Sequence, residues 1–412
     1  MNRLVFFLVL ALFIFANILN QMEAEAGDTA SIPHLSASEW KEDLLFFKAQ
    51  VEQHHRDPFN RVSKQELDAE FQRVIARLGK MGDVDVVLEL QALAAIIGDG
   101  HTFVSTDRYR SFPLRVFWYG DDLRVTAASA DLRKILGTRL VAINGIPVNE
   151  ASERLNRIIP QGESRWYRLD ASATIISQVE PLVALKIVRP DGSGMWTFLH
   201  DDGREERIRV APSSKPLLSA FSTTPLHLQN PDQPLWVTLL PDQVTGYVSF
   251  RSYKDLDATS ERLKELIQRE QLQRLIVDLR HNRGGNYTHG RKFIIELIQF
   301  SPAINRTGSL YVVTGRHTFS AAMTNATDFR RETEAILVGE PTAAKPYGYQ
   351  ENYFFELPNS RLSVSVAQLH YRFGSPDEEA VFPDKRIEPN WRMDHEGDDA
   401  VLHWILSQPL RQ

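Results

Sequence analysis

Between Ser36 and Gly98 the apolar residues recur every three or four positions. Trp40, Leu44, Leu45, Phe47 and Val51 form one such run, and Leu67, Phe71, Val74, Ile75 and Leu78 a second. That period predicts two amphipathic helices. Ser38 is placed to cap the first, and Ser63-Lys64-Gln65-Glu66 has the form of a capping box for the second. A third run, Val84 to Ile97, is apolar almost throughout, which predicts a buried helix. It stops at Gly98-Asp99-Gly100, whose glycines permit a sharp reversal before His101-Thr102-Phe103-Val104.

From Phe112 to Val210 the period shortens. Leu123 to Thr126 alternates, Leu140 to Ile143 runs into the turn Asn144-Gly145, and a helix through Leu155 and Ile158-Ile159 follows. Val183 to Val188 reads as a strand, and Asp201-Asp202-Gly203 joins Met195–His200 to Arg204–Val210 as a hairpin. The stretch from Pro212 is rich in Pro, Ser and Thr and reads as a linker.

Beyond it, strands and helices alternate. Gly246–Phe250, Leu275–Val277, Leu310–Val313 and Ala335–Val338 are strands; helices occupy Asp257–Glu270, the segment holding Phe293 to Leu297, and the segment after Ser320. This order predicts a parallel or mixed sheet with crossover helices. Two antiparallel strands, Tyr353–Leu357 and Leu362–Val366, and a last short helix from Val401 complete the pattern.

The chain has 412 residues, 43% hydrophobic and 24% charged, with a formal net charge of −6. That length accommodates two or three domains with real cores. The acidic balance, with no basic run, argues against a nucleic-acid partner. Arg3, the apolar run Leu4–Leu19 and Ala24-Glu25-Ala26 have the form of an export signal, residues 1–26, too short for a comfortable membrane span. No later segment is apolar enough to span after its cleavage. Cysteine is absent, which excludes thiol nucleophiles, thiolate metal sites and disulfides. His54-His55 and the pair His281 and His289 have no further ligand at metal spacing, so no metal or cofactor is expected.

Chemistry converges on two loops. In a parallel sheet the loops at the carboxyl ends of the strands build the site. One holds Gly284-Gly285, whose backbone N–H groups can approach a substrate oxygen. The other holds Ser320 at a strand-to-helix turn, beside the Ala321 N–H. Ser320 with Gly284, Gly285 and Ala321 has the makings of a nucleophile and its oxyanion hole.

The motifs Asp278-Leu279-Arg280-x-Asn282-x-Gly284-Gly285, Ser320-Ala321 and Val338-Gly339-Glu340-x-Thr342-x-x-Lys345 resemble those of the tail-specific, or carboxyl-terminal processing, serine peptidases. Gly98-Asp99-Gly100-His101-Thr102 and the segment Leu140–Leu155 resemble further parts of that family, in the same order. The resemblance implies an N-terminal helical region (27–105), a PDZ-like β domain (106–211), a linker (212–235) and a crotonase- or ClpP-like α/β catalytic core (236–412). It further implies an endopeptidase acting on peptides or proteins through an acyl-enzyme on Ser320, without a cofactor; with the signal-like residues 1–26 it is expected to be exported, periplasmic or extracellular. Lys345 would be the general base, twenty-five residues after Ser320 as in the family, and it would have to be neutral to act.

Two departures leave the base open. Tyr349 stands where the family often has a glutamine, and Ser320 is followed by Ala321-Ala322-Met323. The related tricorn-core peptidases use a histidine matching His101 together with a downstream carboxylate, here Asp377 or Glu378. Histidine acts near neutrality without an extreme pKa shift. No glycine-rich carboxylate loop is evident near Phe112–Gly120, so the PDZ-like domain is expected to gate the site or bind an internal segment. The alternative from another class is an inactive scaffold that carries a peptide or an apolar ligand.

Overall fold

A computed structural model describes residues 31–410; the export-signal reading of residues 1–26 lies outside the described residues. Among the described residues no helix is long and apolar enough to cross a membrane. The fold is multidomain α/β, organised around three sheets.

The first three helices span Ala37–His54, Lys64–Ile75 and Asp83–Ile97. Ser36, not Ser38, caps the first: its hydroxyl takes the Glu39 N–H while Glu39 returns a bond to the Ser36 N–H. Only Ser36 has a glutamate three residues on, so only there do both halves of the box form. Gly98, at φ 104°, turns the third helix off. The helices do not close a core by themselves. The hairpin Tyr347–Glu356/Ser363–Arg372 lies far down the chain, within the stretch the sequence assigns to the catalytic core. It carries Leu357, Leu362, Val364 and Val366 into the same cluster as Trp40, Phe47, Phe71 and Leu90. Phe103–Val104 pairs with the hairpin's second strand, which fixes His101 immediately before it.

The second unit is an antiparallel sheet in the order Leu114–Tyr119, Asp122–Ser129, Arg139–Ile143, Gly194–Leu199, Glu205–Val210. Leu217–Ser219 adds to Asp122–Ser129, so part of the expected linker is strand. The strand expected over Val183–Val188 is instead the end of the helix Val179–Ala184 and a turn. Val179 and Leu182, three apart, are fully buried and favour the helix. Helix Arg165–Ile176, which the sequence reading missed, supplies residues to the site.

The third unit is a six-stranded sheet: Lys385–Arg386, Ile336–Gly339, Leu310–Thr314, Arg274–Asp278, Thr245–Phe250, Leu235–Leu239, parallel except for the last strand. Arg274–Asp278 and Leu310–Thr314 are buried at every position, as central parallel strands are. Helices Leu256–Glu270, Tyr287–Phe300 and Ala321–Glu332 contribute Leu263, Phe293 and Ala326 to one face, and Val401, Leu402 and Ile405 cover the other. The neighbouring register Asp278↔Val313 brings the loops holding Gly284-Gly285 and Ser320 side by side. The second unit is pinned to the third by buried Arg316, which pairs with Glu340, donates to the Trp118 carbonyl at 2.8 Å and lies 4.4 Å from the Phe117 ring centroid.

Candidate active site

Ser320 stands between the strand Leu310–Thr314 and the helix Ala321–Glu332. Its backbone adopts φ 52°, ψ −129°, a conformation a side chain bears only under strain. The loop Leu279–Asn286 holds it there. Thr318 Oγ1 donates to the Leu279 carbonyl at 2.8 Å, and the Phe319 N–H donates to the Asn282 carbonyl at 3.0 Å. Gly284, at φ 109°, presses on the serine: a Cβ there would stand 2.7 Å from Ser320 Cβ. Only glycine fits that contact.

The same loop separates the N–H groups expected to receive an oxyanion. Asn282 Nδ2 is anchored to the Phe250 carbonyl at 2.9 Å, and its Oδ1 accepts the Gly284 N–H at 2.9 Å. The Gly284 N–H is therefore committed within the loop. The N–H groups of Gly285 and Ala321 donate to no group among the described residues. Both residues line a cleft of about 470 Å³ with Ser320.

His101 reaches this cleft from the first unit. Its Nε2 lies 2.9 Å from Ser320 Oγ, across a sequence separation of 219. Its ring stacks on Phe319 at 4.6 Å, and the residue is 3% exposed. Burial pushes its pKa down to about 4, against the pull of the Asp99 charge and the Tyr349 main chain. Nδ1 is buried without a partner in hydrogen-bond geometry.

Asp99 is the carboxylate that acts on His101. Its Oδ1 accepts the backbone N–H of His101 at 3.0 Å and of Thr102 at 2.8 Å. Its Oδ2 faces His55 Nε2 at 2.9 Å. His55 Nδ1 accepts the Asp57 N–H at 3.0 Å, so the proton sits on Nε2 and is donated to Asp99. Glu163 is a second buried carboxyl nearby; it accepts the Gly100 N–H at 2.9 Å, and burial raises its pKa to about 7. The sequence analysis missed both. Asp99, two residues before a candidate histidine, carried a signal in its Asp-x-His-Thr turn. Glu163, in a loop far along the chain, carried none.

The other expected residues lie apart from the serine. Lys345 makes no hydrogen bond to Ser320; it lines a different cavity on the far side of His101. Asp377 and Glu378 are exposed on the loop after Arg372, and neither is bonded to His101. His317 pairs with Asp170 at 2.9 Å. His54 stacks on Tyr353. No group of three or more potential ligands among the described residues is arranged to hold a metal ion.

A search of family models and a search of curated proteins each found no match. Solved structures do match. Mature CPAF complexed with lactacystin is similar at a TM-score of 0.63 and 12% identity, over 90% of this chain and 97% of that one. The chain has the CPAF fold. Mature CPAF alone matches with a TM-score of 0.61 and 12% identity, over 90% and 96% of the two chains. A looser likeness, TM-score 0.44 and 13% identity, extends to the tricorn protease, over 89% of this chain and 36% of that one. At these identities the likeness concerns the fold, and the chemistry is argued from the site itself.

Proposed function

We propose that the chain is an exported serine peptidase in which His101, rather than Lys345, is the general base for Ser320. The observation that carries this reading is the 2.9 Å approach of His101 Nε2 to Ser320 Oγ at a strained strand-to-helix turn. Neutral His101 accepts at Nε2 and so carries its proton on Nδ1. As Ser320 Oγ attacks a peptide carbonyl, its proton passes to Nε2, and the carbonyl oxygen becomes an oxyanion received by the Gly285 and Ala321 N–H groups. Protonated His101 then gives that proton to the departing amine nitrogen as the C–N bond breaks, leaving an acyl-enzyme. Water, deprotonated by the same imidazole, releases the acid and restores the hydroxyl.

Asp99 supports the imidazolium by its fixed negative charge, through the turn it organises rather than through a bond to Nδ1. The cleft suits a peptide. Phe103, Tyr167, Tyr287 and Phe373 give it apolar walls, while Arg283 and Glu351 supply polar ends. Export rests on the sequence of residues 1–26.

A serine-reactive fluorophosphonate tests the reading without knowledge of the substrate. It should label the wild type on Ser320, and Ser320→Ala should lose both labelling and cleavage of a peptide library. Undiminished labelling of Ser320→Ala, or an unlabelled but folded wild type, would leave a peptide- or ligand-binding scaffold as the better account.

A further inference from the structure

His101 and Gln350 form a partition. The cleft with Ser320 lies on one side, and both residues also line a larger cavity, about 800 Å³, on the other. Four cations line that second cavity: Arg56, Arg61, Lys345 and Arg372. Three carboxyl groups line it as well, one of them, Glu163, within the field of Lys345; they offset part of the positive charge and leave an excess of cations. Asp57 takes the Tyr349 hydroxyl at 3.2 Å, Asp99 holds His55, and Glu163 takes the Gly100 N–H. Among the described residues none of the four cations forms an ion pair with a carboxylate; Arg372 has only His370 Nδ1 at 3.4 Å and the Tyr347 ring. The excess of cations over carboxyl groups in one concavity favours a further anion among them.

Two buried groups at the inner wall point the same way. Gln350 is 4% exposed, yet its Nε2 has no hydrogen-bond partner. An amide donor sealed from water and left unpaired costs free energy that an acceptor in the cavity recovers. His101 Nδ1, the proton-bearing nitrogen, has only the Tyr349 main chain beside it, outside full hydrogen-bond geometry. On the rim, His370 is held below its ordinary pKa by burial and by Arg372, despite the opposing pull of Asp57.

We propose that this cavity is a binding site for an oxyanion: a carboxylate carried by a peptide, or a free ion of the phosphate type. Lys345 and the arginines supply the charge, and Gln350 donates at the inner end. Lys345 thereby has a role other than proton transfer. An anion seated there lies behind the general base and stabilises its protonated form, so occupancy is expected to raise the rate of acylation. That last consequence rests on the peptidase reading; the binding itself does not.

The test is calorimetric titration of the full Ser320→Ala protein, which cannot turn ligand over. Three ligands are compared at fixed ionic strength: an acetylated hexapeptide free of acidic side chains with a free α-carboxylate, the same peptide as its carboxyl amide, and inorganic phosphate. The free acid should bind at least about tenfold more tightly than the amide, the ratio one charge-assisted hydrogen-bonded contact provides. Arg56→Gln combined with Arg372→Gln, both exposed and without carboxylate partners, should erase that preference while leaving the melting temperature in place. Lys345→Met should do the same independently. Phosphate binding that these variants abolish, with no preference between the two peptides, assigns the site to a free ion. Equal affinities for acid and amide together with no phosphate binding, or binding that survives both variants, overturns the proposal. Neither result bears on whether wild-type Ser320 reacts with a fluorophosphonate, so failure here is separable from failure of the peptidase reading.

Discussion

A histidine base buried as His101 is gives the labelling reaction an unusual acid limb. The perturbation is pH, and the readout is the second-order rate at which a fluorophosphonate modifies Ser320. In the proposed mechanism only neutral His101 accepts the Ser320 proton. Its stacking on Phe319 and its near-complete burial disfavour the cation and place its pKa at about 4. Against an ordinary histidine at about 6.5, that is roughly 2.5 units, or about 3.4 kcal/mol less stability for the imidazolium. At pH 5 about nine-tenths of a group with pKa 4 is neutral, against about one-thirtieth of an ordinary histidine. The labelling rate should therefore be nearly flat from pH 8 to pH 5 and fall to half near pH 4, with circular dichroism confirming the fold at each point. Lys345→Met should leave the shape of this profile unchanged. A midpoint at or above 6.5 would show that the imidazole is solvated when it reacts. A rate still climbing above pH 8 would show that an amine is the base, and either result refutes the mechanism.

Three further outcomes follow from the same geometry. Asp99→Asn keeps acceptors for the His101 and Thr102 N–H groups but removes the charge; labelling at pH 7 should slow by about tenfold, the worth of one pKa unit, and the acid midpoint should move lower. A slower rate with an unmoved midpoint would mean that only the turn has been disturbed. Gly284→Ala drives a methyl against Ser320 Cβ at a positive φ, so labelling should be lost and stability should fall by on the order of 1–3 kcal/mol in urea unfolding. Full activity in that variant would contradict the close contact. Glu163, raised to about 7 in the fold by burial, binds its proton more tightly folded than unfolded, so wild-type stability should fall as pH rises through the interval from about 4.5 to about 7. Glu163→Gln removes that dependence, and its stability relative to wild type should rise by a few kcal/mol between pH 4 and pH 8, order of magnitude. A constant difference across that range would place the carboxyl in water.

Local pattern carried much of the architecture. The three-to-four period of Trp40–Val51 and Leu67–Leu78, the capping form Ser63–Glu66, the helix stop at Gly98 and the buried strands ending at Val277 and Val313 are decided by neighbours in the chain. So are the small residues around Ser320 and the glycines at 284 and 285, because a turn's requirements are local. What the chain does not encode locally is which distant segments meet. The sequence left the base open between Lys345 and His101, and composition around each residue has no means of choosing. Which of the two lies beside Ser320 depends on the hairpin Tyr347–Glu356/Ser363–Arg372, which buries its apolar face against the N-terminal helices, pairs with Phe103–Val104 and thereby sets His101 over Ser320. The same packing leaves Lys345 on the opposite side of that imidazole, among cations, and keeps Asp377 and Glu378 in solvent. Hydrophobic burial is indifferent to sequence distance, whereas turns, caps and periodicity are not; for that reason the candidate nucleophile was legible in the sequence, while the basic side chain that lies beside it depends on the assembled fold.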